Sequence, residues 1–150
     1  MKNLMKVFFM FSSLVAVSAF ADQDIGLNDI DTNYCEAAKN EVMLLNSPST
    51  LVSSVCSPYS KGGYKSVEGD FYDYRLFTTV TVVGTVEKDA KIRLNDIDTN
   101  NCVRAKKEID LLSKPPYKVN TLCSEYLKGG YKADNGKFYD YRLSSWITVE

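Results

Sequence analysis

Histidine is absent from the 150 residues, and the four cysteines form no Cys-x-x-Cys pair. Without histidine there is no Ser-His-Asp triad, no Cys-His pair, no His-Glu-x-x-His zinc site and no haem held through His. Cys35, Cys56, Cys102 and Cys123 lie 21, 46 and 21 positions apart, which disfavours both thioredoxin-type redox chemistry and a structural zinc site. The sequence therefore implies neither a metal nor a cofactor. Long apolar runs are also missing. The longest such stretch, Val7 to Phe20, has fourteen residues and contains Ser12, Ser13 and Ser18. A membrane-spanning helix needs roughly 20 apolar residues.

Instead, Lys2 and Lys6, this run and Ala19-Phe20-Ala21 have the order of an export signal with a small-x-small cleavage site. The expectation is a signal peptide over residues 1–21, cleaved near Ala21. A mature chain would then start near Asp22 in the periplasm or outside the cell, with no membrane anchor. Removing Lys2 and Lys6 leaves 16 basic and 19 acidic residues, a net charge of −3 that does not favour nucleic acid. In an oxidising compartment four cysteines imply two disulfides.

Shifting the chain by 67 positions aligns Leu27–Leu76 with Leu94–Leu143 without a gap, at 30 identities in 50 positions. The chain is an internal duplication, with units at 22–83 and 89–150 and a linker at 84–88. Three blocks barely change: Leu27 to Asn33, Lys61 to Lys65 and Phe71 to Leu76, repeated from Leu94, Lys128 and Phe138. The first unit carries −5 and the second +2, a complementarity that favours docking of the two.

Asp31-Thr32-Asn33 offers helix N-caps, and Cys35, Ala38, Val42 and Leu45 then recur with helical spacing, as do Cys102, Ala105, Ile109 and Leu112. Pro48 and Pro115 end that helix. Val52, Val55, Cys56 and Tyr59, with Val119, Leu122, Cys123 and Tyr126, predict a second helix closed by Gly62-Gly63 and Gly129-Gly130. Tyr64-Lys65 begins a hairpin that turns at Glu68-Gly69 or Asn135-Gly136. The following long strand puts Tyr72, Tyr74, Leu76, Val80 and Val82 on a core face. The expected fold is α+β, two tandem copies of a small disulfide-stapled helix-helix-strand-strand unit. Antiparallel helices then favour the pairs Cys35–Cys56 and Cys102–Cys123.

Asp29-x-Asp31-x-Asn33 starts like a calcium loop, but Tyr34 occupies the glycine position and Asn40 the final glutamate position, so capping is the expected role. Lys61-Gly-Gly-Tyr-Lys65 lacks phosphate-loop spacing. The outer face of the long strand presents Phe71, Asp73 and Arg75 in the first copy, and Phe138, Asp140, Arg142 and Trp146 in the second. These residue types carry binding energy at interfaces, and they are the expected binding residues; no catalytic residue is assigned. Function is accordingly expected to be binding: an exported interaction protein, including an inhibitor of an extracytoplasmic hydrolase, with a protein or glycan of the envelope or exterior as partner. The alternative is a small hydrolase of cell-wall glycan using Glu41, Glu108, Asp73 or Asp140.

Overall fold

The computed structural model describes residues 21–150; the expected signal peptide at 1–21 falls almost wholly outside them. The first unit runs β1 (Gln23–Gly26), β2 (Ile30–Thr32), α1 (Cys35–Met43), β3 (Thr50–Pro58), β4 (Tyr64–Lys65), β5 (Phe71–Tyr72) and β6 (Tyr74–Val82). The second repeats it as β7 (Lys91–Arg93), β8 (Ile97–Thr99), α2 (Cys102–Asp110), β9 (Tyr117–Glu125), β10 (Tyr131–Lys132), β11 (Phe138–Tyr139) and β12 (Tyr141–Val149). The chain is thus α+β with two similar disulfide-bonded units.

In each unit the last long strand is central. β6 pairs antiparallel with β3 along one edge and with β1 and β2, end to end, along the other; β12 does the same with β9, β7 and β8. Leu76, Thr78 and Val80 alternate into the core with Thr50, Val52 and Ser54 of β3, and the helix lays Cys35 and Val42 over them, with Leu45 buried just past its end. Tyr74, expected on this core face, is 37% exposed at the strand's start.

The second helix expected at Val52 to Tyr59 is a strand. Val52, Val55 and Cys56 fit helical spacing, but Thr50, Val52 and Ser54 are buried while Leu51, Ser53 and Val55 face out, a period of two. Buried polar residues masked that alternation: Ser54 is accommodated in the core because its hydroxyl bonds that of Thr78 at 3.1 Å. Consequently Gly62-Gly63 ends no helix. It makes a turn, in which Gly63 has φ 71° and a Cβ would lie 2.8 Å from the Tyr72 carbonyl oxygen.

The expected disulfides, Cys35–Cys56 and Cys102–Cys123, are both present. α1 runs back along β3, so its first residue meets the strand's far end as it would have met a second helix. A loop of this size stabilises by about 3 kcal/mol through restriction of the unfolded chain.

The buried side chains of the two units form one continuous core, with Leu27, Leu45, Leu94 and Leu112 all at 2% exposure or less. Two reciprocal contacts lock them. Asn28 donates from its backbone N–H to Leu112 O and from its amide to Leu111 O, each at 2.9 Å; Asn95 donates to Leu45 O at 2.9 Å and Leu44 O at 3.0 Å. Each asparagine therefore satisfies carbonyls left free at the C-terminus of the other unit's helix, and the units relate by a local two-fold.

Candidate functional site

Because the two asparagines draw the helix ends together, α1 and α2 flank a cleft on the local two-fold, with a volume of about 450 Å³. Ala38, Val42, Ile30 and their counterparts Ala105, Ile109 and Ile97 give it an apolar lining. Leu44 and Leu111, 54% and 52% exposed, form its lips.

Glu41 and Glu108 meet in this cleft. Their carboxyls approach within hydrogen-bonding reach across the two-fold, so one of them is favoured to take up a proton before the other. Arg104, one turn before Glu108, donates from Nε at 2.8 Å. It decides which. Burial first, then the hydrogen bond and charge of Glu108, raise Glu41 above the ordinary glutamate value. Burial also pushes Glu108 upward, but the hydrogen bonds from Arg104 and Glu41 outweigh it and hold Glu108 low. Glu41 is therefore the partner that binds a proton more readily and Glu108 the one that gives it up more readily.

The sequence had the Arg104–Glu108 pair, readable as i, i+4 on a helix. It could not bring Glu41 to Glu108, since that contact depends on how the units dock. Asp31 and Asp98 also line the cleft.

Among the expected strand-face residues, Asp73 and Arg75 do not meet. Arg75 turns instead to Asp31 at 3.4 Å and donates from Nε to the Tyr59 hydroxyl at 2.8 Å, while that hydroxyl donates to Asp31. Arg142, Tyr126 and Asp98 repeat the arrangement. Burial and then the hydrogen bond to the aspartate raise both tyrosine hydroxyls above their ordinary pKa. Tyr59 stacks on Tyr64 and Tyr126 on Tyr131, with ring centroids 5.3 Å apart in each pair. Asp73 and Asp140 are exposed and do not line the cleft.

Phe71 and Phe138 remain exposed, each beneath a lysine of its own hairpin, Lys65 and Lys132. Trp146 is half-buried under Lys91, whose ammonium is 4.3 Å from the ring centroid.

Asn33 is not the helix cap expected of it. Its amide donates to Phe71 O at 2.9 Å and its oxygen accepts from the Asp73 N–H at 2.7 Å, clamping the break between β5 and β6. Asn100 does the same for Phe138 and Asp140. The capping residue of α2 is Asn101, which accepts from Arg104 N, whereas Tyr34 at the start of α1 provides no side-chain cap. Among the described residues no helix is long and apolar enough to cross a membrane. Comparison of the chain with protein-family models, with curated proteins and with solved structures returned no match.

Proposed function

We propose that this is an exported binding protein of the cell envelope or exterior, without chemistry of its own, and that it takes its ligand in the cleft between α1 and α2. The observation that carries this reading is the cleft itself: concave, lined mainly by apolar side chains, with a few polar groups converging at its centre, as ligand sites are. Inhibition of an extracytoplasmic hydrolase is one form such binding takes.

The glycan-hydrolase alternative is weakened by the same geometry. Glycosidase carboxyls stand roughly 5–5.5 Å or 6.5–9.5 Å apart to admit a sugar bond or water. Glu41 and Glu108 touch each other, and Asp73 and Asp140 belong to other surfaces.

The outer strand faces stay in the proposal as a second surface, because Arg75, Arg142 and Trp146 all retain solvent exposure. A photo-crosslinking residue at Leu44 or Leu111, set against one at Phe77 on the outer sheet face, separates the surfaces in an envelope extract. Adducts concentrated at the two cleft positions support the reading. Adducts at Phe77 alone, or turnover of peptidoglycan that E41Q or E108Q abolishes, would overturn it.

A further inference from the structure

The two halves of the cleft match at nearly every position, which makes their one central difference informative. Ile30, Ala38, Val42 and Leu44 face Ile97, Ala105, Ile109 and Leu111. Where the second repeat places Arg104, the first places Ala37. Arg104 supplies Glu108 with a guanidinium at 2.8 Å. Glu41 receives no equivalent from α1, whose Lys39 pairs with Glu36 at 3.7 Å.

The charged groups around Glu41 are Glu108 and Arg104 across the two-fold, with Asp31 and Asp98 in the cleft wall. One cation thus serves a pair of carboxyls, and Glu41 has none of its own. The space above Ala37 is part of the cleft rather than filled by a neighbouring side chain.

Resting on the reading of the cleft as the binding site, we propose that it binds an arginine side chain presented by a polypeptide partner. The guanidinium sits over Ala37 against Glu41 and mirrors Arg104 on Glu108. The second repeat is an internal precedent, since there the same carboxyl, on the same helix position, already holds a guanidinium. Arginine fits better than lysine because its planar fork donates to a carboxylate through paired hydrogen bonds and is more weakly hydrated than an ammonium.

The alkyl stem would lie along Ala37, Ala38 and Val42. The exposed Leu44, Leu111 and Tyr34 leave apolar surface at the cleft mouth for residues flanking the arginine, which is why a polypeptide is favoured over a free guanidinium compound. The local charge balances: as the ligand cation enters, any proton held by the pair passes to solvent, leaving two carboxylates facing two guanidiniums.

The test uses the mature protein and two blocked tripeptides, Leu-Arg-Leu and its neutral citrulline analogue, followed by amide NMR shifts and by calorimetry in two buffers of different ionisation enthalpy. The arginine peptide should shift α1 and α2 resonances, bind at least tenfold more tightly than the citrulline peptide, and release protons when Glu41 starts protonated. E41Q should lose about tenfold. A37R, at an exposed position and so expected to fold normally, should place an internal guanidinium on Glu41 and abolish binding, with unchanged melting temperature as the control. Equal binding of both peptides at the cleft would overturn the arginine assignment while leaving the binding-site reading standing. Undiminished binding by A37R or E41Q would overturn it as well. If neither peptide shifts cleft resonances while crosslinks form at Leu44 and Leu111, the arginine assignment alone fails; if the crosslinks are absent too, the reading beneath it fails. Binding of free arginine as tight as that of the tripeptide would overturn the polypeptide source.

Discussion

On the second repeat, Lys106 donates to Asp110 at 3.0 Å, to the Thr121 hydroxyl at 2.8 Å and to the Thr121 carbonyl at 3.3 Å, tying α2 to the free edge of β9. On the first, Met43 and Ser54 stand at the positions of Asp110 and Thr121, Lys39 turns to Glu36, and Ser54 bonds inward to Thr78. The same backbone is held by a charged network in one copy and by core packing plus a hydroxyl pair in the other. What the copies share is the sheet register, the disulfide, the reciprocal asparagine contacts and the Tyr–Asp–Arg cluster. What differs falls on the helices, on β3 and β9 and on the loops beside them, including the one substitution that leaves Glu41 without a cation.

The largest effect should come from what is shared. Leu45 and Leu112 are both fully buried in the common core, so L45A and L112A should each cost about 2–5 kcal/mol and lower one common unfolding transition in urea. Two separated transitions, one for each half, would break the equivalence of the repeats and the unity of the core. A smaller effect should distinguish the copies. K106M removes three hydrogen bonds at a partly exposed site and should cost about 1 kcal/mol, whereas K39M removes a loose surface pair and should stay within about 0.5 kcal/mol. Equal losses for the two lysines, read from urea midpoints, would mean that the α2–β9 network contributes nothing particular.

Much of this fold was legible in the sequence. The 67-residue offset, the first helix and the Asn-Gly and Glu-Gly hairpins follow from local periodicity and turn chemistry, whereas the disulfide partners, present as expected, rested on a second helix that is β3 in one copy and β9 in the other. β3 and β9 were misread because Ser54 and Thr121 interrupt the apolar alternation, and an apolar count cannot see a hydroxyl buried beside its partner. The short strands β1, β2, β7 and β8 carry too few residues to show any period.

For the candidate site the limit was different. Asp29 to Asn33 and Phe71 to Leu76 stood out as repeated blocks, yet most of their polar side chains hold the unit together: Asn33 clamps a strand break, and Asp31 orients Tyr59 and Arg75. The pairing of Glu41 with Glu108 arises only from the crossing of Asn28 and Asn95, whose partners lie 84 and 50 positions away in sequence. No local pattern encodes that crossing.

The account's central claim is that one guanidinium serves two facing carboxyls, so that Glu41 is raised above the ordinary glutamate value and Glu108 held below it. Carbon-13 NMR of the glutamate side-chain carboxyls across a pH titration tests it most directly. Glu41, raised on folding, favours the folded state while protonated, and its contribution is fully present below the unfolded value and lost as pH rises through the folded one. Glu108, lowered on folding, contributes above the unfolded value and loses that contribution as pH falls through the folded one. The two signals should therefore titrate on opposite sides of the ordinary glutamate value, and R104A should move Glu108 upward. Two carboxyls titrating together at the ordinary value, indifferent to R104A, would contradict it.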